Sequence, residues 1–486
     1  MNCKKSTVAL LTAISFLTGA FATSCTKSPP APKTYTEDEF ILAGFWAPYE
    51  ITEEGFEKYK NCGLNTVQFT NHSRDASAAE AWAATDPVLS KTRYYLGSEL
   101  TKQSLEMCRK TGLKAILDDN GAHFDTGDTP YSTRESYEDY RDIIVGMHVA
   151  DEPSAIKMPE YCTPSRVADF KQTYGDLPFL INLLPNPAPI ESYGNVSYEE
   201  YLQTYANTVL KSFPENPIVS VDYYPYHQAQ EKYNKERVNC TQAETSWLEC
   251  YHQVSSLAVE YDAALHFYIQ SAESNEFVKT LHEEDMRHQL YVGLCFGGTR
   301  FTYYCYSVPG FYKENATSVE NPMYTACLLD ANNQPTHLYY YVKEINAEIQ
   351  AFASAFKAYK FVRCMSSYLE DYYSERFSSS LYTLDTFSPL DFSDRKFVSN
   401  IDAEYNCLIG CFDREEDEAY MLVGYDYWSA DETQTVTVTL KNGATHLAVY
   451  GGNGFTGEPT VVKAEKGKCT LSIKGGEGKF IVPLTA

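Results

Sequence analysis

Between residues 40 and 306 the sequence alternates short, apolar, β-rich runs with longer stretches of helical periodicity. Such alternation indicates parallel strands joined by crossover helices. Eight strands of one kind, most of them followed by room for a helix, favour a closed (β/α)8 TIM barrel over an open doubly wound sheet. The predicted strands are 41–46, 66–70, 114–118, 143–149, 178–183, 217–223, 264–269 and 300–306.

Glycine and proline mark the predicted helix ends. Cys62-Gly63 ends a helix that begins after Thr52, and Gly112 ends another over 101–110. The last helix of the barrel starts near Thr336, directly after a proline, and its apolar positions recur at helical spacing. A predicted strand follows each of the two glycines within a few residues, as a barrel requires.

Beyond about residue 361 the sequence pattern changes to predicted strands with alternating polarity, separated by turn signals such as Asn442-Gly443. This pattern is typical of an antiparallel β-sandwich. We therefore expect a barrel domain over 39–360 and a C-terminal β-sandwich domain over 361–486.

The N-terminus carries Lys4 and Lys5, an apolar run over 8–22 and small residues directly before Cys25. This is the pattern of a secretory signal, and small residues followed at once by cysteine resemble the lipobox of bacterial lipoproteins. The resemblance implies a signal peptide over 1–24, Cys25 as the lipid anchor and a proline-rich linker over 25–38. The alternative is an ordinary signal cleaved nearby, with an incidental thiol. We expect an exported lipoprotein of the cell envelope that touches the membrane only through its lipid.

The composition and the motifs limit the classes of partner and cofactor that the protein is expected to bind. The chain has 65 acidic and 40 basic residues, a formal charge of −25, which disfavours a nucleic-acid partner. No glycine-rich loop opens a helix, and no histidine, cysteine or acid spacing is typical of a metal site, so we expect neither a cofactor nor a metal. The scattered cysteines are expected to be buried free thiols.

The fourth predicted strand is the most informative for chemistry. It is apolar and ends abruptly in Asp151, Glu152 and Pro153. In (β/α)8 barrels functional groups lie at the carboxyl ends of the strands, so a carboxylate here faces a substrate. The alternative is that both acids only cap the following helix.

This strand end resembles glycoside hydrolase clan A, whose fourth strand ends in Asn-Glu-Pro with the glutamate as general acid/base. Here Asp151 replaces the asparagine. The segment 328–346, a polar turn and Pro-Thr leading into a helix with an asparagine, is similar to the end of the barrel in β-galactosidase-like members. The resemblance implies a glycoside hydrolase with Glu152 as its acid/base.

Such enzymes need a second carboxylate. The resemblance puts it at the end of strand seven, where this chain has Gln270, an amide. Three interpretations stay open: Glu273 is displaced by a bulge and still serves, Asp222 at the end of strand six is the base of an inverting reaction, or the barrel binds glycan without cleaving it. A carboxyl separation of about 5 Å suits retention and one of about 6.5–9.5 Å suits inversion.

Other strand ends supply groups that suit an oligosaccharide or polysaccharide. Aromatic faces stack on sugar rings, and amides and acids hydrogen-bond to hydroxyls. Among 40 tyrosines any single ring is more often packing than binding, and His148 and His266, inside strands, are expected to be core histidines. The substrate-binding candidates are Trp46, Asn71, Asp119, Asn186, Asp222, Tyr224 and Gln270.

The leading hypothesis is thus a glycoside hydrolase acting on an extracellular or periplasmic glycan, with Glu152 and provisionally Glu273 as the catalytic carboxylates. The rival is a non-catalytic glycan-binding lipoprotein on a barrel that has lost its nucleophile.

Overall fold

The structure is a computed structural model. It describes residues 29–46, 48, 50–69, 98–118, 137–226, 245–274, 280–307, 324–330, 332–367, 390–424 and 433–485. The predictions for Cys25, Asn71 and Asp119 lie outside these residues.

The N-terminal part is a closed barrel of eight parallel strands, as predicted. Each observed strand ends within two residues of its predicted bounds. A short antiparallel pair, β8 (Glu273–Ser274) with β10 (Tyr324–Ala326), lies outside the barrel sheet. The barrel strands, in order around the sheet, are β1 (Ile41–Phe45), β2 (Thr66–Gln68), β3 (Lys114–Asp118), β4 (Ile144–Asp151), β5 (Phe179–Leu183), β6 (Ile218–Asp222), β7 (Ala264–Gln270) and β9 (Gly298–Tyr304).

Helices cover the outside of the barrel. The Thr52 side chain caps the first of them by accepting a hydrogen bond from the Gly55 amide, and Gly63 and Gly112 end helices with positive φ. The described helices are α1 (Glu53–Asn61), α2 (Ser98–Thr111), α3 (Met158–Tyr161), α4 (Pro164–Tyr174), α5 (Tyr198–Tyr205), α6 (Thr245–Glu260), α7 (Glu283–Cys295), α8 (His337–Gln350) and α9 (Ala353–Lys357). No helix within these ranges is long and apolar enough to cross a bilayer.

The two faces of the barrel strands differ in polarity. Side chains such as Val149, Ile181 and Phe267 belong to the apolar layer beneath the helices. The alternate positions, which point into the barrel, carry hydrogen-bonding groups. They include Gln68, Asn182, Ser220, His266, Tyr268 and Thr302, each at most 3% exposed.

The C-terminal part is the predicted β-sandwich, with two antiparallel sheets. One has the strand order β11-β13-β14-β19-β16-β17 and the other β12-β15-β18. Phe356 of α9 packs on Phe412 and Phe480 of the larger sheet, with ring centroids 4.9 and 5.3 Å away. The strands are β11 (Lys360–Ser367), β12 (Val398–Ala403), β13 (Cys407–Arg414), β14 (Asp417–Gly424), β15 (Thr433–Leu440), β16 (Ala444–Tyr450), β17 (Thr460–Lys463), β18 (Lys468–Lys474) and β19 (Gly478–Thr485).

Candidate active site

The backbone at the tip of β4 is left-handed at one residue, Glu152. Glu152 has φ 50°, a left-handed conformation that is uncommon for a residue with a side chain and costs about 1–3 kcal/mol. Its amide donates to the Asn182 carbonyl at 2.9 Å. The Tyr201 hydroxyl donates to the Pro153 carbonyl at 3.1 Å and so holds the following residue from α5.

This left-handed residue places two consecutive acids on the same side. Neighbouring residues of a regular strand point to opposite faces. Here the Asp151 carboxylate accepts from the Asn182 side-chain amide at 3.0 Å inside the barrel, while the Glu152 carboxyl shares a hydrogen bond with Asp222 at the tip of β6. Both acids therefore lie at the mouth of the barrel, which is the end formed by the carboxyl termini of the strands.

Asp222 is a buried carboxyl. It is 9% exposed, and its Oδ1 has no hydrogen-bond partner. Burial, followed by the charges of Glu152 and Asp151, raises the pKa of Asp222 well above its ordinary value. The protein therefore favours the protonated form of Asp222.

Glu152 is accessible to solvent, but the surrounding protein removes much of its hydration. Burial and then the charge of Asp151 raise the pKa of Glu152 to about 7, although the hydrogen bond from Asp222 lowers it. An accessible carboxyl with a pKa near neutrality is suited to proton transfer.

Gln270 ends β7 but is not presented to the mouth. Its side-chain amide donates to the Tyr226 carbonyl and accepts from the Tyr226 amide, both at 3.0 Å. Gln270 is 2% exposed. The amide of Gln270 thus holds the loop after β6.

Glu273 has partners away from Glu152. It is 5% exposed, and its Oε1 accepts from the Leu281 amide at 2.7 Å and pairs with His337 Nε2 at 2.9 Å. The carboxyl groups that act on Glu152 are those of Asp151 and Asp222. Glu273 thereby ties β8 to the segments before α7 and at the start of α8, and its role as the second carboxylate stays a prediction.

The aromatic candidates lie in one cluster. Trp46 has φ 65° and is 7% exposed, and its ring packs on Phe45 and Tyr304 with centroids 5.4 and 5.5 Å away. Tyr224 is half-buried, and its ring packs on the same Tyr304, with ring centroids 5.1 Å apart. Its pKa is raised by burial and then by the charge of Asp222, so Tyr224 is the aromatic candidate beside the acids, whereas Trp46 is mainly packed.

Asn186 lies in the loop after β5 and is half-buried. Its Oδ1 is buried and has no hydrogen-bond partner. The backbone of Asn186 and the charge of Asp222 both act on the Cys250 thiol, which places the two near one another. Asn186 Oδ1 and Asp222 Oδ1 are thus two buried oxygens near the site.

Asn182 is the residue that sequence reasoning missed. It lies inside β5, whereas the candidates came from strand ends and the residues that follow them. An asparagine among the apolar residues of Phe179–Leu183 was the available signal in the sequence, and the structure shows it 1% exposed.

No family model matches the chain, and no curated protein matches it. Similar solved structures include a glycoside hydrolase family 30 subfamily 8 xylanase from Clostridium acetobutylicum, with 10% identity, coverage of 93% of this chain and 97% of that one, and a TM-score of 0.40. The endo-β-1,4-mannanase from Thermotoga petrophila has 10% identity, coverage of 90% and 98%, and a TM-score of 0.38. The β-galactosidase from the psychrophilic Marinomonas ef1 has 10% identity, coverage of 65% and 60%, and a TM-score of 0.38.

These neighbours are glycoside hydrolases. The predicted (β/α)8 barrel is confirmed by the closed sheet of this chain itself. At these identities and TM-scores the similarity carries no argument about the activity of this chain.

Proposed function

We propose that the protein is a glycoside hydrolase in which Glu152 donates the proton to the leaving oxygen. The observation that carries the proposal is the placement of Glu152, which is accessible to solvent, hydrogen-bonded to a buried acid and has a pKa of about 7. Export as a lipoprotein anchored through Cys25 would bring this barrel to an extracellular or periplasmic glycan.

Asp222 supports the proton donor in this scheme. Once Glu152 has released its proton, the protonated Asp222 donates a hydrogen bond to the new carboxylate and stabilises it. A general base must be ionised at the working pH, and the raised pKa of Asp222 disfavours its ionised form. The proposal therefore gives Asp222 the role of hydrogen-bond donor and not the role of base that was one interpretation of the sequence.

Asp151 is then the carboxylate that remains beside Glu152. Its charge acts on both Glu152 and Asp222, and Asn182 holds one of its oxygens. We infer that Asp151 activates the attacking water. The same position is an asparagine in clan A, so the acid compensates for the missing carboxylate at Gln270.

The second candidate function is glycan binding without cleavage. It is favoured by the side chains of Gln270 and Glu273, neither of which offers a free carboxylate to the mouth. The buried oxygens of Asn186 and Asp222 and the ring of Tyr224 would still contact sugar hydroxyls and rings.

The decisive experiment is a screen of aryl glycosides and polysaccharides with the wild type, Glu152→Gln, Asp151→Asn and the matched surface control Glu191→Gln. The proposal expects sugar release by the wild type and the control, and a loss of kcat on the order of 10²–10⁴-fold in the two site variants. Equal turnover in Glu152→Gln would discard the assignment. Retention on a glycan in affinity electrophoresis with no product from the wild type would favour the binding protein.

A further inference from the structure

The polar side chains inside the barrel form one continuous chain of hydrogen bonds that reaches the candidate site. The first links run from Asn182 Nδ2 to Asp151 at 3.0 Å and from Ser220 Oγ to Asn182 Oδ1 at 3.1 Å. Ser220 Oγ also meets His266 Nδ1 at 3.0 Å. The remaining links are His266 Nε2 to Thr302 Oγ1 at 2.8 Å, Thr302 Oγ1 to Gln68 Oε1 at 3.1 Å and Gln68 Nε2 to the Tyr268 hydroxyl at 2.6 Å.

The protons in this chain of hydrogen bonds can be assigned one after another, starting from Asp151. The Asp151 carboxylate accepts, so Asn182 turns its amino group toward it and its carbonyl toward Ser220. The single hydroxyl proton of Ser220 is then donated to Asn182. Ser220 Oγ has only lone pairs left for the ring, so His266 Nδ1 must carry a proton.

The other ring nitrogen decides the charge of His266. If Thr302 donates to Gln68, Nε2 must also carry a proton and the ring is an imidazolium. If the Gln68 amide is turned by 180°, Tyr268 donates to Gln68, Gln68 donates to Thr302 and Thr302 donates to Nε2. Every group is then satisfied around a neutral ring.

The surroundings select the neutral ring. His266 is 1% exposed, and burial, followed by the positive charges of Arg300 and His148, lowers its pKa well below the ordinary value. An imidazolium would therefore be a third basic group in a buried space.

We propose that His266 is held as the neutral Nδ1–H tautomer and that, through Ser220 and Asn182, it is a positioning residue for the carboxylate of Asp151. In the opposite tautomer Nδ1 would accept, Ser220 would donate to the ring, and Asn182 would be free to turn its carbonyl toward Asp151. Two oxygens would then face each other, and Asp151 would lose the donor that holds it beside Glu152.

The consequence for catalysis rests on the proposed function, but the positioning itself does not. The charged and titratable groups that interact with Glu152 are Asp151, Asp222, Tyr201 and Tyr224. Of these, Asp151 is the one whose orientation depends on the chain of hydrogen bonds that leads to His266. The charge of Asp151 raises the pKa of Glu152. Releasing Asp151 therefore lowers the pH at which Glu152 loses its proton.

The test has two readouts that need no turnover. In wild-type protein labelled with ¹⁵N-histidine, with His266 assigned by loss of its signals in His266→Gln, we expect a protonated Nδ1 and a bare Nε2 at pH 7. In protein labelled with ¹³C-glutamate, with Glu152 assigned by Glu152→Gln, Ser220→Ala should move the titration of Glu152 from about 7 toward its ordinary 4.5. The matched control is Ser255→Ala, since this serine is equally buried but bonds only within α6.

A protonated Nε2 in the wild type, or an unchanged Glu152 titration in a folded Ser220→Ala, would overturn the inference. If neither occurs but no glycan is cleaved, the proposed function fails while the positioning role stands. If glycan is cleaved and the alkaline limb of the pH profile is the same in Ser220→Ala and the wild type, the proposed function stands and the positioning role fails.

Discussion

Glu152 and Asp222 share a hydrogen bond across the mouth of the barrel, and the first is open to solvent while the second is buried. Burial holds the proton on Asp222, which therefore acts as the donor in this contact. The pH at which Glu152 ionises is set by this donor on one side and by the charge of Asp151 on the other.

The first prediction concerns the pH dependence of turnover. Because Glu152 must be protonated and its pKa is about 7, kcat should fall above about pH 7. Asp222→Asn keeps a hydrogen-bond donor for Glu152, so kcat should fall over the same pH range as in the wild type. Asp222→Leu removes the donor, so the fall in kcat should move to higher pH. The pH profile of kcat measures this, and identical limbs in the Asn and Leu variants would contradict it.

A second prediction concerns stability. The folded-state pKa values of Glu152 and Asp222 lie above their ordinary values, so the folded protein binds more protons than the unfolded chain. The stability that these two groups contribute should be fully present below about pH 4. It should fall as the pH rises through about 7, the pKa of Glu152, and through the raised pKa of Asp222. Asp222→Asn cannot ionise and should flatten this fall. Urea unfolding at several pH values measures the slope, and equal slopes in variant and wild type would refute the prediction.

A third prediction concerns Gln270. Replacing it with glutamate creates the residue that clan A carries here, yet it should not raise turnover, because the side chain is committed to the backbone of Tyr226. The lost donor leaves a carboxylate against the Tyr226 carbonyl, at a cost of about 1–3 kcal/mol. Denaturant unfolding and kcat check both parts; a gain in turnover from Gln270→Glu would show that the position can act as a nucleophile.

The fourth prediction separates Glu273 from catalysis. Glu273→Gln keeps an acceptor for the Leu281 amide and His337, so turnover should be unchanged. Glu273→Ala leaves that buried amide without its partner and should lower the free energy of unfolding by about 1–3 kcal/mol. Loss of turnover in a stable, folded Glu273→Gln protein would restore Glu273 as a catalytic candidate.

The sequence was sufficient for the barrel, the sandwich and the position of Glu152. Strand and helix periodicity, Thr52 as a cap and Gly63 and Gly112 as helix ends are local signals that depend on neighbours a few residues away. The apolar run ending in Asp151-Glu152-Pro153 is local in the same sense, so it identified the tip of β4.

The partners of Glu152 were decided only by the tertiary structure. Asp222 is 70 residues away along the chain, and its raised pKa depends on burial that no local pattern records. The bonds of Glu273 to the Leu281 amide and to His337 likewise join residues that are distant in the sequence or follow no local pattern. The left-handed backbone of Glu152 breaks strand alternation, so the placement of two adjacent acids on one side could not follow from a period of two.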